Sequence, residues 1–254
     1  MIIRETKDSF IMIRQHDHAF LSGETIKHFK PSLLKSDLFF DDALYAAYQH
    51  DRSWIGLDDT PIWNDREKIP YTFSDYPLLP KLAFYKIGVD EIERVNTYAS
   101  LLCSLHFCSF FSQSKNKDCL VFLTGEARRQ MRLKESFPDL DEELLQQQFH
   151  LLQFSDNLSL YLCLNEPGVD KEEEHPWFKN GFQNTEVFHP ENQPLMARWM
   201  NEKEVTLDPY PFDKDFPVSL KYKMVAKSLI QEVGIAVAYE ESVMEEEKIQ
   251  LLRS

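Results

Sequence analysis

The 254-residue sequence predicts a mainly α protein with a smaller β part, an α+β fold in which a helical block is flanked by β-rich ends. Three observations carry this reading. Apolar residues recur at spacings of three and four through the middle of the chain, as on the buried face of a helix. The first fifteen residues and the stretch around 218–224 alternate instead, as strands do. A change of character after Gly168 separates the two patterns.

Taken in order, Ile2-Ile3-Arg4-Glu5-Thr6 and Ser9-Phe10-Ile11-Met12-Ile13-Arg14 form a hairpin around Lys7-Asp8. A helix over 17–29 stops before Pro31. A second, from about Asp41 to Trp54, is favoured by Ala43, Leu44, Ala46 and Ala47. Residues 58–80, rich in Pro, Asp and aromatics, predict a long loop of the kind that overhangs a site, a candidate lid. A third helix from Asp90 to Phe111 carries Val95, Tyr98, Leu101, Leu102 and Leu105 on its buried face. Asp139 and Glu142 form a capping box for a helix that runs through Tyr161-Leu162 and ends near Asn165-Glu166-Pro167-Gly168. Beyond it, an acidic run (Asp170, Glu172, Glu173, Glu174) and a Pro-rich aromatic stretch lead to strands such as Val218–Met224. This tail is expected to build a small antiparallel sheet with the N-terminal hairpin, because neither could bury its apolar face alone. The predicted division is a helical core over 15–167 and a β-rich appendage from 1–14 and 168–254 packed on it. The Glu245-Glu246-Glu247 cluster reads as a solvated face.

Composition removes several function classes. With 28 Lys+Arg against 42 Asp+Glu, the formal charge of −14 repels phosphate backbones and anionic headgroups, which argues against nucleic acid or a membrane surface as a partner. No apolar run is long enough to cross a bilayer and the first residues lack an apolar leader, so a cytoplasmic location is expected. The four cysteines, Cys103, Cys108, Cys119 and Cys163, show no C-x-x-C pairing and read as reduced packing residues.

Ionisable residues at positions where the helical pattern expects apolar ones are the candidates for chemistry. His50 and Asp51 close an Ala-rich helix, with Ala46, Ala47 and Trp54 as helical neighbours. His106 lies between Leu102 and Phe110, and Asp156 between Leu152 and Leu160, each at a spacing of four. His18, rather than His16, is read as facing inward because Leu21 lies three residues on. Bland alternatives stand beside each: a helix-terminal His50 with Asp51 paired to Arg52, a hydrogen-bonded core His106, an Asp156 meeting a buried arginine or a neighbouring helix end. Imidazole and carboxylate without thiolate suit a divalent ion such as Mn²⁺, Fe²⁺, Co²⁺, Ni²⁺ or Mg²⁺. Lys81 and Lys86 are the further cations that could reach a phosphate.

The order of these residues resembles the HD superfamily of metal-dependent phosphohydrolases, on His18-Ala19-Phe20-Leu21, Ala46-Ala47-Tyr48-Gln49-His50-Asp51 and Phe154-Ser155-Asp156-Asn157-Leu158-Ser159-Leu160. The resemblance covers about residues 16–165 and implies an HD-like helical bundle with His18, His50, Asp51 and Asp156 as metal ligands. His106 is similar to one of the further histidines of the two-metal members. After His50-Asp51 the chain reads Arg52-Ser53-Trp54-Ile55-Gly56 where the superfamily commonly has a glycine-containing turn. Nearly the whole chain, including Gln15-His16-Asp17-His18-Ala19, the segment Tyr98–His106 and Pro209-Tyr210-Pro211-Phe212, also resembles an uncharacterised bacterial family known only as a domain of unknown function.

The expectation is therefore a divalent-metal-dependent phosphohydrolase acting on a small phosphorylated metabolite or nucleotide. His106 would bind a phosphate oxygen, assist the leaving group or hold a second ion, and Arg52 would offset negative charge. The alternatives are a non-catalytic HD-like ligand-binding or regulatory module and a purely structural helical protein. Association into a homo-oligomer is compatible with each. Trp54 is the one aromatic expected to face the site, being within a turn of His50 and Asp51.

Overall fold

The computed structural model describes residues 1–189 and 191–254. The fold is α+β: a layer of helices packed against a curled, mixed sheet. The N-terminal hairpin is present, with β1 (Ile2–Glu5) and β2 (Ser9–Ile13) antiparallel and Ile2 opposite Ile13. Alternation in β2 sends Ile11 and Ile13 into the main core and Phe10 and Met12 to the other face.

Helix α1 (Gln15–Ile26) packs between α2 (Phe40–Gln49) and the long α7 (Glu142–Leu164). Its approach to α2 depends on Gly23, where an added Cβ would lie 2.3 Å from the Tyr48 ring. α2 does not continue to Trp54 as the sequence suggested. The Ala47 carbonyl accepts from the His50 imidazole at 2.8 Å instead of carrying the helix onward, Asp51 leaves helical geometry, and a 3₁₀ turn (Arg52–Trp54) leads into α3 (Ile55–Asp58).

The predicted loop over 58–80 contains a two-residue hairpin, β3 (Trp63–Asn64) with β4 (Ile69–Pro70), before α4 (Leu78–Glu93) begins. The single helix expected from Asp90 to Phe111 is two. Extended backbone at Asn96 separates α4 from α5 (Thr97–Ser109), and the Asn96 side chain caps α5 by accepting from the Ala99 N–H. Val95, placed by periodicity on the buried face, is 71 % exposed in the connection. α6 (Lys117–Lys134) follows, capped by Asn116. Asp141, not Asp139, caps α7, accepting from the Glu143 and Leu144 N–H groups.

In the tail, β5 (Met196–Asn201), β6 (Glu204–Asp208), β7 (Phe216–Ala226) and β8 (Met244–Arg253) complete a six-stranded sheet in the order β1-β2-β7-β8-β6-β5. The expected union of tail and hairpin is the antiparallel β2–β7 pair. The sheet is not purely antiparallel, because β6 and β8 run parallel. Two short helices, α8 (Lys227–Val233) and α9 (Ile235–Glu241), pivot on Gly234 at φ +80° and cover Phe10, Met12 and Val225. The opposite face, with Val205, Leu207, Val218, Leu220, Ile249 and Leu251, joins the helices in one continuous core. Three of the cysteines are buried, Cys108 is half-buried, and all four are free thiols. No helix among the described residues is long and apolar enough to cross a membrane.

Candidate metal centre

Four helices converge on one polar knot inside this apolar layer. α1 supplies His18, the end of α2 supplies His50 with Asp51 just beyond it, α5 supplies His106 and α7 supplies Asp156; all five residues are buried. His18 Nε2 lies 3.1 Å from Asp156 Oδ1, 3.3 Å from Asp51 Oδ2 and 3.2 Å from His50 Nε2. His50 Nε2 is 3.3 Å from Asp156 Oδ1, and His106 Nε2 is 3.5 Å from Asp156 Oδ2. The sequence-predicted ligands are thus brought together, with His18 rather than the neighbouring His16 in the cluster.

The surrounding hydrogen bonds decide what these atoms present. His50 Nδ1–H donates to the Ala47 carbonyl, so in the neutral ring Nε2 carries a lone pair into the cluster. The Ser159 oxygen lies 2.6 Å from His18 Nδ1 and 2.8 Å from the Asp156 carbonyl; with its one proton given to that carbonyl it accepts from Nδ1–H, the tautomer that leaves the lone pair of a neutral His18 on Nε2. Gln15 Nε2 donates to Asp51 Oδ2 at 3.0 Å, and the Gln15 main-chain N–H donates to Asp58. Two imidazole Nε2 atoms and two carboxylate oxygens therefore face one another in a buried site, an arrangement that calls for positive charge.

Within the chain, the carboxylates favour a proton on His18. Burial opposes charge on His18, but hydrogen bonds with Asp156 and Asp51 outweigh it and raise His18 well above its ordinary value. Burial likewise pushes Asp156 up, and the same imidazoles, His18 and His50, pull it well below the usual carboxylate range. His106 is carried mainly by burial, down to about 4, and its Nδ1 has no partner among the described residues.

A divalent ion meets the same demand. The donor atoms of His18, His50 and Asp51 lie within 4.8 Å of one another, as do those of His50, His106 and Asp156. Adjacent ligands on an octahedral ion with bonds near 2.1 Å are about 3 Å apart, close to the separations between His18, His50 and Asp156. The nitrogen-and-oxygen set, with outer hydrogen bonds from Ser159, Ala47 and Gln15, has the donor chemistry and spacing that such an ion takes.

Above the cluster lies a cavity of about 380 Å³, lined in part by Phe73, Tyr85, Phe110 and Trp177, with His18, Asp51, His106 and Asp156 also reaching it. Arg52, expected to serve the site, does not join it. The 3₁₀ turn directs its guanidinium to Glu91 at 2.7 Å and Gln49 at 3.1 Å, on the outside of the bundle. Trp54 is not a lining residue either; it is buried beside Tyr76 and Tyr85. Lys86 pairs with Asp90 on the surface, and His28, His150, His175 and His189 lie outside both donor groups. Sequence reasoning missed Gln15, Ser159 and the rim residues Phe110, Phe111 and Trp177. Ser159 had a signal, since a serine three residues after Asp156 shares its face among leucines; Trp177, arriving from the tail, had none.

A family model described as "Protein of unknown function (DUF3891)" matches residues 1–227. The chain belongs to this family. The matched span of this DUF3891 member includes every residue of the cluster and stops as α8 begins, and the description assigns no activity. Neither the search of curated proteins nor the search of solved structures finds a match.

Proposed function

We propose that the chain is a divalent-metal-dependent phosphohydrolase of the HD type, acting on a small phosphorylated metabolite or nucleotide. One observation carries this reading: two imidazole Nε2 atoms and two carboxylates meet in a buried cluster at the floor of a cavity, with no lysine or arginine in ion-pair contact with them among the described residues. His18, His50, Asp51 and Asp156 hold the ion. When bound, it supplies Lewis acidity and lowers the pKa of a water in the cavity. Ser159 and the Ala47 carbonyl fix the ring tautomers, and Gln15 fixes the Asp51 oxygen. His106 lines the cavity, its buried Nδ1 has no partner among the described residues, and its ring can orient a phosphate oxygen or serve the leaving group. The aromatic walls limit water around a bound ester.

A second reading, a module that keeps the metal and binds ligand without turnover, is favoured by the scarcity of cations in the cavity wall, Lys81 being the one cation among the described lining residues. The test has two stages. Protein purified without chelator is assayed for transition metals beside Asp51→Ala and Asp156→Ala, then offered phosphomonoesters, phosphodiesters and nucleotides. Near-stoichiometric metal lost in both variants, with metal-dependent turnover, supports the hydrolase; metal without turnover supports the binding module. Absence of metal after reconstitution with Mn²⁺, Fe²⁺, Co²⁺ or Ni²⁺ sinks both.

A further inference from the structure

Lys81 stands in the first turn of α4, 9 % exposed, and lines the cavity above the His/Asp cluster. Its Nζ donates to the carbonyl oxygens of Phe73 and Ser74, both at 3.1 Å. An ammonium has three N–H groups, and the third has no acceptor among the described residues. The nearby carboxylate of Asp75 is engaged by the Thr72 N–H and hydroxyl.

Lys171 shows what a complete version of this arrangement contains. It too donates to two carbonyls, Phe178 at 3.3 Å and Ala197 at 2.9 Å, but its third partner is the Glu174 carboxylate at 2.6 Å. Where Lys171 has an anion supplied by the chain, Lys81 has the cavity. A buried ammonium with no carboxylate in ion-pair contact is costly, and an anionic ligand would offset that cost.

We propose that Lys81 is the anion-receiving residue of the cavity, its third N–H taking an oxygen of a phosphoryl group whose other side faces the His/Asp floor. The ligand class rests on the hydrolase reading; the position of the anion rests on Lys81 alone. A cavity of about 380 Å³ is of the size that holds a small organic phosphate. Because the two carbonyls belong to the Phe73–Ser74 rim, the same ammonium fixes the edge of the cavity and meets the ligand.

The test uses the full chain, metal-loaded and chelator-treated, with inorganic phosphate as the probe in calorimetric titrations of the parent, Lys81→Gln and Lys81→Arg. Gln keeps two N–H donors on a neutral side chain but lacks the charge and the third donor; Arg restores the charge. The expected result is binding at least about tenfold weaker in Lys81→Gln, largely recovered in Lys81→Arg, with metal content equal in all three. In the unsubstituted chain, phosphate should also slow acetylation of Lys81 by acetic anhydride, read by peptide mass spectrometry, without protecting the surface lysines. Equal affinity in Lys81→Gln, unchanged Lys81 reactivity, or no binding to the parent at millimolar phosphate overturns the proposal. Lys81-dependent phosphate binding by a chain that takes no metal would keep this anion site and remove the hydrolase reading.

Discussion

The helices hold two sets of acidic side chains, a partly buried one around Arg129 and a buried one in the His/Asp cluster, and they are neutralised differently. On α6, the Arg129 side chain is nine-tenths buried and meets Glu93 at 2.8 Å, Glu126 at 3.0 Å and Asp90, while Ser104 donates to Glu126 at 2.7 Å. There the chain provides its own cation and the network is closed. Around Asp51 and Asp156 it provides three imidazoles, a glutamine and a serine, and no guanidinium or ammonium within ion-pair reach among the described residues. A permanently charged partner makes a carboxylate structural; a partner that is positive only when protonated leaves room for an outside cation to take the proton's place.

On that contrast, metal removal is the largest perturbation available. A chain holding free ion at about a thousandfold over its Kd gains about 4 kcal/mol, which corresponds to roughly 10 °C in Tm for a protein of this size. Chelation should lower the melting temperature by that order in the parent and leave Asp156→Asn, already unable to hold the ion, unchanged. An equal response of the two proteins in calorimetry would remove Asp156 from the ligand set.

The Arg129 network should answer in the opposite way. Arg129→Ala leaves Asp90 with Lys86 and Glu93 with Arg132 but takes the cation from buried Glu126, and should cost about 2 kcal/mol in urea denaturation, whatever the metal concentration. Folded Arg129→Ala should still take up metal in the parent's ratio. Loss of metal with the network would mean that the two sets are one coupled unit, which their separate hydrogen bonds argue against.

A smaller effect tests how the His18 lone pair is aimed. Ser159→Ala removes the hydroxyl 2.6 Å from His18 Nδ1 without replacing a proposed ligand. Metal affinity, measured by competition with a chromophoric chelator, should fall about tenfold while the fold persists. Unchanged affinity would show that packing alone orients the ring.

Much of this architecture was legible because local pattern and burial agreed. The hairpin at 2–13, the long α7 and the pairing of tail with hairpin follow from period-two and period-four repeats whose apolar faces enter the core. His50, Asp51, His106 and Asp156 stood out as polar residues at core spacings. What the pattern hid were places where a side chain redirects the backbone: the His50 ring on the Ala47 carbonyl ends α2, and Asn96 divides what reads as one helix. α6 was obscured because Leu120, Val121 and Met131 lie on its exposed side, blurring the apolar stripe. The parallel β6–β8 pair and Trp177 at the cavity rim depend on contacts between distant segments, which no local repeat encodes.

Arg52 is the sharpest case, because adjacency to Asp51 in sequence suggested a place in the site and the 3₁₀ turn removes it. Its guanidinium reaches Glu91 at 2.7 Å with both side chains 39 % exposed, a surface pair worth at most about 1 kcal/mol. Arg52→Ala should therefore leave metal content and phosphate affinity within about twofold of the parent, while Lys81→Gln, far from His50-Asp51 in sequence but lining the same cavity, lowers phosphate affinity on the order of tenfold. A loss in Arg52→Ala matching that of Lys81→Gln would show the arginine turning inward when ligand binds. The difference between the two variants separates proximity along the chain from proximity in the folded molecule.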